Sequence, residues 1–190
     1  MSTSIMDGTG SNRRAKVDSD YRLQVKSVSI QELSSATEDG NTFIVASDFV
    51  TLSTTGSFSG VFYFKNTSAD RDYHIDSLRT CNDSFAYWRI KKAVTSGTLV
   101  SGGTAAAVTN GDLSLTTTPT CTALSGSDGA TVTDGSLMGT HMQGVGHSVQ
   151  EWKGGVDLPP GASLAIECNP NAAGDVCIQM VCISKPAGEV

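Results

Sequence analysis

Charge, aromatic residues and proline are all scarce in this chain. Charged residues make up 17% of it, aromatic residues 6%, and there are 5 prolines among 190 residues. Low charge beside 38% hydrophobic residues excludes a disordered chain, which needs high charge and few apolar groups. No apolar run approaches the roughly 20 residues of a membrane-spanning helix. The opening MSTSIMDGTG lacks the apolar stretch of a secretory signal. The five cysteines, Cys81, Cys121, Cys168, Cys177 and Cys182, are odd in number. Reduced thiols in a protein made in a cytoplasm are therefore expected. A disulfide between Cys168 and Cys177, which flank the last loop, is a second possibility that spacing alone leaves open.

What is abundant is glycine, at 20 residues, together with serine and threonine throughout. This is the composition of an all-β protein with many turns. At this length one domain is expected, with a core large enough to need no metal or disulfide. The net charge of −6 is uneven. Up to Ser29 five basic residues face three acids; beyond it eight basic residues face sixteen acids. The acidic body argues against nucleic acid as a partner. The basic start is either a solvated tail or a segment that docks on an acidic protein surface.

Residues 1–19 read as an extended arm and residues 20–190 as the folded domain. The arm is polar and glycine-containing, with turn signals at Asp7-Gly8 and Gly10-Ser11-Asn12. A first strand is expected over residues 22–30. Further strands are expected in NTFIVASDFVTLS, GVFYFKN, DYHIDSLRT, FAYWRIKKA, SVQEWKG, ASLAIEC and DVCIQMVCIS, from their β-branched and aromatic content. FAYWRIKKA also fits a helix capped at Asn82-Asp83-Ser84, but its aromatic density favours a strand. Short strands are expected at residues 99–100, 106–108 and 113–115, with a hairpin signal at Asn110-Gly111. Residues 125–146 read as a long glycine-rich connection. In DLPPGASLAIECNP, Pro159 and Pro160 must precede a strand because they cannot donate ladder hydrogen bonds. Asn169-Pro170-Asn171 then ends it, which predicts a hairpin with the last strand. Short strands at such spacing make a sandwich or barrel.

The residues that carry chemistry do not assemble on paper. His141 and His147 are separated by five residues of glycine-rich chain, without a cysteine or carboxylate at zinc spacing. They are expected on a loop. No serine occupies a G-x-S-x-G elbow. Asp70, Asp72 and Asp76 cannot be assigned as a glycosidase pair. DGTGSN lacks the helix of a phosphate loop and the pattern of a calcium loop. The expectation is no enzyme, no metal and no cofactor. Tyr87, Trp88 and Trp152 are the aromatic candidates for a carbohydrate platform, with core packing as the competing role.

MDGTGSNRRAKVDSDYRLQV, GVFYFKNTS, GTLVSGGTA and LPPGASLAI resemble, in the same order, phrases of tailed-bacteriophage capsid decoration (cement) proteins and related minor virion proteins. The resemblance implies a jelly-roll-like β-sandwich with an extended N-terminal arm, assembled as a homotrimer on the outer capsid surface. It implies the major capsid protein as partner, with neither nucleic acid nor membrane. Arg13, Arg14 and Lys16, with Val17 and Leu23 as apolar anchors, are then the candidate capsid-binding residues. A receptor- or carbohydrate-binding module of a tail or head fibre is the alternative.

Overall fold

The computed structural model describes residues 16–17, 23–24, 36–53 and 56–188, with backbone only at 16, 17, 23, 24, 153 and 154. The chain divides into two units, Met1–Gln31 and Glu32–Val190. In the first, β1 (Lys16–Val17) pairs antiparallel with β2 (Leu23–Gln24), Val17 opposite Leu23. Leu23–Gln24 falls inside the strand expected over residues 22–30; the rest of that stretch, and most of the expected arm, lies outside the described residues.

The second unit is a sandwich of two antiparallel sheets. Its elements are β3 (Thr42–Ala46), β4 (Val50–Leu52), β5 (Ser59–Asn66), β6 (Arg71–Asn82), β7 (Ala86–Lys92), α1 (Thr98–Gly102) and β8 (Thr104–Ala105). They continue with β9 (Ala107–Asn110), β10 (Cys121–Ser125), β11 (Ser136–Gln143), β12 (Gly146–Leu158), β13 (Ser163–Pro170) and β14 (Gly174–Pro186). One sheet has the order β11-β7-β13-β5-β10-β8 and the other β12-β6-β14-β3-β9, with β4 also paired to β14.

Between the sheets lies one large core. Phe62, Phe64, Trp88, Leu164 and Ile166 belong to it from one sheet, and Tyr73, Ile75, Leu78, Ile178 and Met180 from the other. Alternation of side chains along each strand aims these residues inward. A second, smaller cluster covers the outer face of the first sheet, where Tyr63 and Ala165 pack against Val94, Leu99, Ala130 and Val132. For this reason β5 and β13 are buried along both faces. Gly126 is required there, since a Cβ on it would stand 1.8 Å from the carbonyl oxygen of Gly60.

The strands expected from aromatic and β-branched runs form, including FAYWRIKKA as β7. Before β13 the chain turns over Pro159–Ala162, Ala162 N donating to the Pro159 carbonyl at 2.9 Å, with Gly161 at φ +81°. That conformation is what a type II turn demands at its third residue. Four expectations change. Leu99 and Val100 lie in α1, because Gly97 at φ +127° turns the chain and buries Leu99 over Tyr63. Residues 113–115 form a turn in which Asp112 Oδ1 accepts from Ser114 N, leaving Leu113 93% exposed. Asn110-Gly111 makes no hairpin: β9 pairs with β3, and Asn110 Oδ1 accepts from Asp112 N to turn the chain away. Residues 125–146 contain a full strand, β11, held by β7.

The last loop changes most. β13 pairs with β5 and β7, whereas β14 pairs with β3, β4 and β6. The two strands are consecutive but belong to opposite sheets, so the predicted hairpin is a crossover. Cys168 is buried in the core and Cys177 lies on the other sheet, half-buried; both are free thiols. Desolvation pushes the Cys168 thiol up to about 12.

Candidate adhesion surface

The side of the sandwich built by β7, β11 and β12 carries an exposed apolar belt. Tyr87 stands opposite Met142 on the outer face, and Leu137 opposite Lys91. Met142 is 70% exposed, Leu137 58% and Val145 75%. Phe85 and Tyr87, both exposed, meet edge to face with ring centroids 5.2 Å apart. Val149 on β12 is also exposed, but on the outer face of the other sheet, opposite Arg79. Contiguous exposed apolar surface of this kind marks an interaction site more often than scattered single residues do.

The belt coincides with an unprotected sheet edge. β11 is the outer strand of its sheet and has 8 residues, none charged, with a register shift between Leu137 and Gly139 near its start. The other three edges are blunted in ways that oppose strand addition. β8 has 2 residues and β9 has 4. β12 is interrupted by a register shift between Glu151 and Val156 and carries Glu151 and Asp157. Among the described residues no strand pairs with the far side of β11, and an edge of unpaired N–H and C=O groups flanked by apolar side chains is chemically suited to bind a further polypeptide; of the four edges, β11 is the long one without charged residues.

Beside the belt, on the same outer face, lies a buried ion cluster. Glu167 on β13 is 1% exposed and stands directly opposite Arg89 on β7. Arg89 Nη2 donates to Glu167 Oε1 at 3.0 Å, and the guanidinium lies 3.7 Å above the Phe58 ring. Lys91 Nζ stands 3.2 Å from Oε2 without hydrogen-bond alignment and donates to the Val132 carbonyl at 3.3 Å. One buried carboxylate thus stands against two cations beside the apolar belt.

On the inner side, His141 stacks on Trp88, rings 8° from parallel with centroids 6.1 Å apart. Gln150 Nε2 donates to its Nδ1 at 2.8 Å, which leaves the neutral ring's proton on Nε2, facing Thr80 Oγ1 at 3.5 Å. Thr80 Oγ1 also donates to Gln143 Oε1 at 2.6 Å. These residues come from β6, β11 and β12, so the polar seam ties the two sheets together where β11 turns into β12. Burial holds the His141 pKa below its ordinary 6.5, with a hydrogen bond accepted by Gln143 opposing in part. A depressed folded-state pKa contributes stability that is present above the unfolded value and lost as pH falls through the folded one. We therefore expect the His141 ring signal in NMR to titrate with a midpoint below 6.5, and unfolding midpoints to fall with pH over that same window. Replacement of His141 by glutamine should flatten that part of the pH profile; an unchanged profile would remove His141 from the linkage.

Arg13 and Arg14 lie outside the described residues, and Lys16, Val17 and Leu23 are placed only as backbone of β1 and β2. Of the aromatic candidates, Tyr87 is exposed, Trp152 packs against the core and Trp88 is fully buried, which removes it as a sugar platform. His141 and His147 stand on β11 and β12, not on a loop. Among the described residues, no three of His, Cys, Asp and Glu lie close enough together to hold a metal ion. One surface depression is lined by the hydroxyls of Thr98, Ser101, Thr104 and Ser127, and another by Val108, Leu113 and Leu115 with Thr116–Thr118. Met142, Leu137 and Val145 were missed in the sequence, although the uncharged stretch over residues 135–150 is a signal for them. No protein-family model and no curated protein matches this chain.

Proposed function

We propose that this chain is a structural virion protein that decorates and stabilises a bacteriophage capsid by binding its outer surface. The observation that carries this reading is the open, uncharged β11 edge set in an apolar belt: a surface suited to adhesion on a stiff double-sheet body. The strand order supports the finer jelly-roll assignment. With β3, β5, β6, β7, β11, β12, β13 and β14 lettered B to I, and β4, β8, β9 and β10 taken as additions to the sheets, the strands run G-D-I-B in one sheet and F-E-H-C in the other. That is the order of two interlocked Greek keys, a fold that hosts capsid proteins and lectins alike. Copies of the chain associate through the belt as a homotrimer, which covers apolar surface and a strand edge that a monomer leaves wet. Arg13, Arg14, Lys16, Val17 and Leu23 make the contacts to the major capsid protein. Repetition over a lattice offsets the entropy lost when an arm is ordered on docking.

Co-sedimentation of the purified chain with capsids lacking it is the test. Stoichiometric binding that raises the shells' resistance to heat is expected, and weaker binding after removal of residues 1–19. Absence of binding would end the proposal. Met142→Glu, which places a charge in the belt, should lower the mass seen by light scattering to that of one chain while leaving the circular dichroism unchanged. An oligomer that survives this change would move the interface elsewhere. The exposed Phe85–Tyr87 pair favours one second reading, a carbohydrate-binding module of a fibre, since sugars stack on exposed aromatic faces. A glycan array with hits abolished by Tyr87→Ala would replace the first reading with the second.

A further inference from the structure

The outer face of the β12-β6-β14 sheet carries a pair of thiols that plays no part in the adhesive surface. Cys81 on β6 and Cys177 on β14 are direct cross-strand partners. Both are half-buried, in contrast to Cys168 and Cys182, which are buried. Each thiol is near enough to the other to affect its ionisation. Two residues along the ladder, Asp83 N donates to the Asp175 carbonyl at 3.2 Å. The antiparallel repeat of two therefore makes Cys81–Cys177 a hydrogen-bonded pair, with a Cα separation of about 5.5 Å. This is the commonest separation for a disulfide. Both side chains leave the same face of the sheet, with Cβ atoms about 5.5 Å apart at a pair of this kind, so closing to the roughly 3.8 Å of a disulfide draws the two strands locally together by about 1.5 Å. His147 on β12 is the next residue in the same row, opposite Cys81.

We propose that Cys81 and Cys177 are an oxidation site that closes to a disulfide between β6 and β14 when the protein passes from a reducing to an oxidising medium. The oxidant is a low-molecular-weight disulfide such as oxidised glutathione. The thiolate of one cysteine attacks a sulfur of that disulfide, breaking its S–S bond and releasing one glutathione thiolate. The second cysteine thiolate then attacks the mixed disulfide at the protein sulfur and expels the other glutathione. Two protein thiols are oxidised, one disulfide is reduced to two thiols, and the two protons lost by the cysteines end on glutathione. The bond would close a long loop of chain across two central strands, the arrangement in which a cross-link restricts the unfolded state most. Desolvation first, then the neighbouring Cys81, pushes the Cys177 thiol up to about 12. Closure is accordingly slow at neutral pH and faster in mild alkali.

The full chain should be incubated with oxidised glutathione at pH 8, unfolded in denaturant with free thiols blocked, and mapped by mass spectrometry without reduction. The expected result is a loss of two of the five thiols, one peptide pair joined through Cys81 and Cys177, and a thermal midpoint higher by about 5 °C or more that reverts with reductant. Cys81→Ser and Cys177→Ser should each keep four thiols, form no internal link and show no oxidation-dependent shift. Five thiols remaining, stable glutathione adducts on the two residues, or a link through any other pair or between chains would each overturn the proposal. The wild-type peptide map decides the matter even where a serine variant fails to fold.

Discussion

Replacement of Trp88 by alanine is expected to lower stability by about 4 kcal/mol, the range for emptying a large aromatic site in a core. Trp88 is 0% exposed at the centre of the sandwich and is the largest fully buried side chain. For a chain of this size that corresponds to a fall in Tm of roughly 8–16 °C, measurable by calorimetry. The physical cause can be separated by a second variant. The indole Nε1 is buried without a hydrogen-bond partner among the described residues. Trp88→Phe thus removes an unpaired donor and keeps most of the ring, so it should cost less than half as much. If the two variants are equally destabilised, volume is not what Trp88 contributes. The His141 ring signal should shift in both, since it stacks on the indole.

The second large effect is expected at Glu167. Glu167→Gln keeps the shape and removes the only carboxylate that, among the described residues, contacts Arg89 and Lys91 at short range. Removing one partner of a buried ion pair costs about 3 kcal/mol or more, because the remaining charges stay desolvated without compensation. Here that is a drop of roughly 6–12 °C in Tm. Arg89 and Lys91 side chains are 30% and 16% exposed, so solvent reaches part of the cationic side and places the effect at the lower end. Replacing all three residues by methionine should recover most of the loss, as apolar substitutes need no counter-charge. Recovery would identify electrostatics as the cause. No recovery would mean that the cluster is held for its packing over Phe58.

Strand locations were legible wherever a run of β-branched and aromatic residues was long enough to outweigh local turn signals. GVFYFKN, FAYWRIKKA and DVCIQMVCIS are such runs, and they form β5, β7 and β14. β11 was illegible because SLMGTHMQ has little β propensity of its own and is extended through its ladder to β7. Leu99 and Val100 failed in the opposite sense. Two apolar residues between glycines have no periodicity, and the cover they give to Tyr63 decides their conformation. Glu167 could not be singled out at all. Its neighbours in the chain are Ile166 and Cys168, and its partners come from a strand about 78 residues away.

Composition and local pattern by themselves determined that this is an all-β protein, with an acidic body, a basic start and a turn at Pro159-Pro160-Gly161. Those properties depend on backbone preferences and on counting, which need no partner strand. Tertiary structure alone decided that β13 and β14 belong to different sheets, that Cys81 and not Cys168 faces Cys177, and that the uncharged stretch after Gly135 forms an edge. Each of these is a question of register between segments far apart in the chain. Register is set by which faces must be buried together, and short-range signals carry no record of it.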